Sequence, residues 1–223
     1  DAILLFRMGD FYETFDDDAV LAAKELEITL TSRSMGKDLR VPLAGVPVHS
    51  LDNYLSRLIK KGHKVAICEQ TSDPAASKGL VDRDVVRVVT PGTVLESTLL
   101  DHKTNNYLAA VSEAEGRAGL AYIDITTGEF SATELPIHEL SLELERIEAA
   151  EVLVPDSGDP LLWTDQGNGN DYCYELTPVE SRVFHPDEAR RALLSHFEIL
   201  TLESFGCEGM DLAIAAAGAI VEY

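Results

Sequence analysis

The hydrophobic pattern changes period several times along the first ninety residues. "ILLFRM" (3–8) is a short apolar run bounded by "GD", the mark of a buried strand. "DDDAVLAAKELEI" (16–28) opens on three acids, which suit the positive end of a helix, and spaces Val20, Ala23, Lys24 and Glu27 at helical intervals. "TSRSMGKDLRVPLAGVP" (31–47) carries Gly and Pro punctuation and reads as loop with one short strand. "SLDNYLSRLIKKG" (50–62) predicts a helix. Ser50 is placed to cap it, and Leu51, Tyr54, Leu55 and Leu58 form one stripe. Lys60 and Lys61 sit at its negative end and Gly62 can stop it. "KVAICEQ" (64–70) and "VVRVVTPG" (85–92) predict strands on either side of a polar loop, completing a mixed α/β unit.

From Thr90 to about Lys103 the chain reads as a connector. "NYLAAVSEAEGRAGLAYIDITTGEFSATEL" (106–135) then predicts three antiparallel strands, turning at Glu115-Gly116 and Thr127-Gly128. "HELSLELERIEAAEVLVP" (138–155) predicts an amphipathic helix and a strand, 158–171 a loop, and "HPDEARRALLSHFEI" (185–199) a helix with Pro186 near its start. A meander followed by alternating helices and strands resembles the ribonuclease-H-like arrangement. The expected fold class is therefore α/β in two domains: a mixed-sheet domain over 1–92, a linker over 93–104, and a ribonuclease-H-like domain over 105–223, truncated at its C-terminal end. The opening "DAILLF" has no initiator Met or basic leader, and the closing "AIAAAGAIVEY" stops inside a helical pattern. Both point to a portion of a longer protein.

Composition and charge narrow the chemistry. No apolar run in the 223 residues approaches the roughly 18 needed to span a bilayer, so no membrane helix is expected. Cys68, Cys173 and Cys207 lie far apart without metal-ligand spacing, which predicts reduced thiols and no metal. A formal net charge of -21 argues against a nucleic-acid partner, because such proteins normally neutralise phosphates with Lys and Arg. The distribution changes that argument. Residues 1–90 hold 12 Lys+Arg against 14 Asp+Glu, whereas residues 91–223 hold 6 against 25. The acidity belongs to the second half. Growth in high salt, which screens self-repulsion, is one cause consistent with it.

Several constellations compete for function. Asp124 in "YIDITTG" lies where a ribonuclease-H-like nuclease holds a metal-binding carboxylate, yet Glu145, Glu151 and Asp156 stand at no diagnostic spacing from it. His49, His63 and His102 do not cluster, and no nucleophile elbow, Walker loop or dinucleotide fingerprint is present. Two loops carry bases: Arg33, Lys37 and Arg40 on one, Lys78 and Arg83 on the other. If they converge they can position a phosphate backbone, with Arg57, Lys60, Lys61 and Lys64 as a supporting helix surface. "MGDFYETF" (8–15) sets Phe11, Tyr12 and Phe15 among Asp10 and Glu13. In an extended segment Phe11 and Glu13 point to the same side. They could stack on a base and hydrogen-bond its edge. Spacing alone favours the plainer arrangement, with Phe11 and Phe15 in a core and Glu13 on the surface.

"LLFRMGDFYETFDDDA", "PLAGVPVHSLDNYLSRLIKKGHKVAICEQ", "DPAASKG" and "RVVTPGT", in that order, resemble the amino-terminal portion of the MutS family of DNA mismatch-recognition proteins. The likeness covers nearly all of residues 2–93 and continues more weakly through "LAYIDITTGEF", which resembles the family's connector domain. The resemblance implies that 1–92 is the mismatch-recognition domain. Phe11-Tyr12-Glu13 matches the family's Phe-x-Glu signature, which implies that Phe11 stacks on a mispaired or unpaired base from the minor groove and Glu13 hydrogen-bonds it. By position in the matching loops, Arg33, Leu43 and Arg83 are implied to lie near DNA, with Tyr12 and Phe15 as scaffold.

The same resemblance implies a cytoplasmic, nucleoid-associated parent that binds mismatched double-stranded DNA. That parent is a homodimer, uses ATP and Mg in an ATPase domain, and contacts a MutL-type protein partly through the connector. None of the ATPase motifs is in this sequence, so binding without catalysis or a cofactor is expected of it. A metal-dependent nuclease on Asp124, and a protein-interaction module with a vestigial DNA face, remain as alternatives.

Overall fold

The computed structural model describes residues 2–34, 40–71, 82–94, 105–157 and 174–223. Lys37, Lys78, His102, Cys173, the anticipated loop at 158–171 and most of the anticipated linker lie outside the described residues. The chain divides into two compact units, Asp1–His102 and Lys103–Tyr223.

The first unit runs β1 (Ile3–Met8), β2 (Phe11–Phe15), α1 (Asp16–Leu26), β3 (Thr31–Ser34), β4 (Arg40–Pro47), α2 (Leu51–Ile59), β5 (Val65–Gln70) and β6 (Arg83–Val89). Its six-stranded sheet has the order β3-β4-β2-β1-β5-β6. Only β1 and β5 are parallel. Gly9, at φ 62, makes the tight β1–β2 turn that a side chain would strain. Ile3 and Leu5 alternate inward along β1 and pack with Tyr12, Val46 and Ile67 beneath Leu26 of α1 and Leu55 and Leu58 of α2. Both helices therefore cover one face of the sheet.

Four expectations are corrected. The buried face of α1 is Ala19, Ala22, Ala23 and Leu26, while Val20 is 46% exposed. Ala19 and Ala23 pack on Ala44, where small side chains allow close approach. Residues 31–47 hold two strands, not loop and one strand, because all four β3 residues are exposed and show no apolar alternation. Arg83 opens β6, not a loop. Ser50 makes no side-chain cap bond; a 3-10 turn over Val48–Ser50 leads into α2.

The second unit runs β7 (Tyr107–Ala114), β8 (Arg117–Asp124), β9 (Glu129–Pro136), α3 (Leu140–Ile147), β10 (Glu151–Pro155), β11 (Glu175–Val179), α4 (Pro186–His196) and α5 (Asp211–Glu222). The sheet order is β11-β10-β7-β8-β9, with the antiparallel meander β7-β8-β9 extended by parallel β10 and β11. This is the anticipated ribonuclease-H-like arrangement. β11 was not anticipated; it is five residues at a sheet edge, and it tolerates Pro178 there. α3 packs on Ala109, Val111, Leu120 and Val152. On the other face, α4 and α5 pack on Leu108, Ala110, Ala121 and Leu153.

α5 lies against the sheet almost backbone to backbone. A Cβ at Gly119 of β8 would stand 2.1 Å from the backbone carbon and oxygen of Leu212, and one at Gly218 would stand 2.3 Å from Ala189 Cβ. Gly119→Ala is expected to destabilise the chain by at least about 2 kcal/mol in urea denaturation, because neither backbone can yield. Gly116→Ala, at a turn with φ 77 and open space around it, should cost only about 1 kcal/mol.

Candidate nucleic-acid interface

β2 is hydrogen-bonded on both sides, to β1 and to β4, so its two-residue alternation is fixed. Tyr12 and Thr14 turn into the core, at 4% and 1% exposure. Phe11, Glu13 and Phe15 take the opposite face, which leaves Phe11 47% exposed. The register sets Phe11 opposite Pro47, Glu13 opposite Gly45 and Phe15 opposite Leu43. Leu43 therefore shares the face of Phe11 and Glu13. Gly45 clears space beside Glu13: a Cβ there would lie 3.3 Å from the Tyr12 carbonyl oxygen and 3.6 Å from Glu13 Cγ.

Arg33, on the far side of β4, pairs in register with Val41 and so faces the same way. Its Nη1 donates to Glu13 Oε2 at 3.2 Å, with the two side chains 49% and 22% exposed. The structure thus brings Phe11, Glu13, Arg33 and Leu43 onto one surface.

Behind that surface is a brace that sequence reasoning missed in detail. The Tyr12 hydroxyl donates to the Glu69 carboxylate on β5. The Arg7 guanidinium lies 5.4 Å from the Tyr12 ring centroid, and Arg7 Nε donates to the Gly9 carbonyl at 2.6 Å. The Arg7 carbonyl accepts Arg83 Nε at 3.1 Å and Gln70 Nε2 at 3.5 Å. Arg83 is therefore engaged with the backbone of the β1–β2 hairpin. The usable signal was "CEQ": the first polar residues after "KVAI" stand level with the hairpin.

The helix bases fall elsewhere. α2 covers the face opposite Phe11, and Lys61 Nζ donates to both the carbonyl and the carboxylate of Glu25, at 2.8 and 2.9 Å. Among the described residues of the second unit, every arginine sits on a glutamate. Arg146–Glu143 is 2.6 Å, Arg190–Glu208 2.9 Å, and Arg117–Glu134 and Arg182–Glu180 each 3.5 Å; Arg191 pairs with Glu188.

The nuclease reading is not favoured. Asp124 is 1% exposed, and its Oδ1 accepts the Thr126 N–H at 2.9 Å and hydroxyl at 2.6 Å, a turn-forming arrangement. Asp124 pairs with Tyr107, whereas Glu151 pairs with the next residue, Leu108, so the two carboxylates occupy opposite faces of the sheet. Glu151 accepts Thr177 Oγ1 at 2.5 Å and the Tyr223 hydroxyl at 3.0 Å, and Asp156 accepts the Ser181 N–H at 3.0 Å. Glu145 is exposed on α3. Among the described residues no three His, Cys, Asp or Glu groups converge on a cation position.

Comparison with known proteins places these features in a family. Residues 1–98 match the family described as MutS domain I, and residues 106–223 match MutS domain II. The DNA mismatch repair protein MutS of Dehalococcoides mccartyi is 51% identical over 223 residues, covering 100% of this chain and 25% of the relative. Its namesake in Solibacter usitatus is 47% identical with the same coverage, and that of Methanococcoides burtonii 43% over 234 residues, covering 100% of this chain and 26% of the relative. The chain spans about a quarter of the length of the curated relatives it matches.

The brace has a spectroscopic consequence. Burial, and then the Glu69 carboxylate, push the Tyr12 hydroxyl above the ordinary tyrosine value of 10.0. The neutral phenol is the favoured folded form, so its contribution to stability is intact below pH 10 and is lost as pH rises through the raised value. Ultraviolet titration of the chain against Tyr12→Phe should show Tyr12 less than half ionised at pH 10, where a free tyrosine is half ionised. A difference spectrum midway at pH 10 would contradict the brace.

Proposed function

The chain belongs to the MutS family, spanning its domains I and II, and on that premise we propose that it is the mismatch-reading part of a DNA mismatch repair protein. Phe11 stacks on a mispaired or unpaired base from the minor groove, and Glu13 hydrogen-bonds that base. The observation that carries this reading is the shared face of Phe11 and Glu13, an exposed aromatic two residues from a carboxylate on a strand locked from both sides. Arg33 and Leu43 border the same face and contact the duplex. Arg83 acts near DNA through the hairpin it holds.

The function of this chain is binding. ATP hydrolysis with Mg, and homodimerisation, belong to parts of a full-length family member outside these 223 residues. The second unit, in the strongly acidic half of the chain, serves a protein contact, in the family's case a MutL-type partner. No helix among the described residues is long and apolar enough to cross a membrane.

Fluorescence anisotropy of the full-length polypeptide carrying this chain, on G·T, single-base-loop and matched duplexes over a salt series, tests the reading. Mismatched DNA should bind more tightly than matched. Base stacking on an aromatic contributes about 1–3 kcal/mol, so Phe11→Ala should remove a preference of roughly tenfold or more. Glu13→Gln should preserve or raise overall affinity while discrimination falls. Equal wild-type affinity for all three duplexes would sink the proposal.

A further inference from the structure

Glu13 accepts a hydrogen bond from Arg33, a side chain whose chemistry also suits phosphate. The contact is a single one, Arg33 Nη1 to Glu13 Oε2 at 3.2 Å. The guanidinium is half exposed, on the same face as Phe11. Exposed ion pairs of this kind are weak and screened by salt. A backbone phosphate engages both arms of an arginine fork and is the stronger partner.

We propose that Arg33 and Glu13 form an exchangeable pair: a backbone phosphate takes Arg33 away from Glu13, and the released carboxylate finds a new partner only where a mispaired or unpaired base is within reach. This inference rests on the assignment of Phe11 and Glu13 to the base. Its consequence is that every duplex breaks the pair, and only a mismatch offers Glu13 a replacement. On a matched duplex the exchange leaves Glu13 unpaired beside phosphates; on a mismatch the base edge replaces Arg33. Gly45 makes the exchange sterically free, because no side chain on β4 stands opposite Glu13 to hold or block it.

A double-mutant cycle reads the exchange directly. Wild type, Glu13→Gln, Arg33→Gln and the double variant are compared by anisotropy on matched and single-base-loop duplexes, in the full-length polypeptide carrying this chain. Arg33→Gln should weaken both duplexes to a similar extent, by roughly fivefold to twentyfold, lower the salt slope by about one, and keep the discrimination ratio within about twofold. Glu13→Gln should tighten matched-duplex binding at least about threefold more in the wild-type background than in the Arg33→Gln background, because only the former has a pair to break. Arg33→Lys, which keeps the charge, should retain the wild-type salt slope. An additive cycle on the matched duplex overturns the exchange. So does an Arg33→Gln variant that loses discrimination while its matched-duplex affinity stands, since Arg33 would then be orienting Glu13 within the complex. Phe11→Ala separates this from the parent reading: if it abolishes discrimination and the cycle is additive, Phe11 stands and the exchange falls.

Discussion

Both flanks of β2 are hydrogen-bonded, and that leaves its five residues a single choice of which face looks inward. Tyr12 settles it. Its ring fills the core beside Ile3, Leu5 and Val46, and its hydroxyl has a carboxylate partner waiting on β5. Slipping the strand by one residue would bury Glu13 without a partner and expose Tyr12, a cost far above that of leaving one phenylalanine wet. Phe11 is thus held out in solvent by the residue next to it. The Gly9 turn, the Arg7 contacts and the Arg83 bond to the hairpin all serve that arrangement, and the proposed chemistry is placed on it.

Charge is partitioned on the same logic. The net -21 describes the whole sequence and says little about any one surface. In the second unit the described arginines are absorbed by neighbouring glutamates, and the remaining acid supports solubility and repels nucleic acid. In the first unit the near balance of charge leaves an arginine on the face that bears Phe11.

The sequence made the period-driven parts legible. The β1 strand, the α2 stripe, the meander with its two Gly turns and the Phe11–Glu13 spacing all rest on local patterns, and the structure reproduces them. What was hidden depends on partners far along the chain. β3 and β11 exist through pairing with a neighbour and not through any alternation of their own. The Tyr12–Glu69 bond joins residues 57 apart, and Arg83 reaches back 76 residues to Arg7. The face of α1 was misplaced because a hydropathy pattern weights Val20 over the alanines, whereas close helix–sheet contact selects small volume.

Close contact reaches its limit at α5. Where Gly119 and Gly218 stand, main chain meets main chain or an alanine, with no flexible side chain between. Ordinary contacts absorb small displacements by changing rotamers; at these two glycines there is none to change, although Ile214 and Ile220 of α5 pack by side chains in the usual way. The consequence is positional: at these two points the spacing between α5 and its neighbours is set by the backbone and not by the choice of side chain. A substitution there changes the distance between elements, where elsewhere in the unit it would change only their packing.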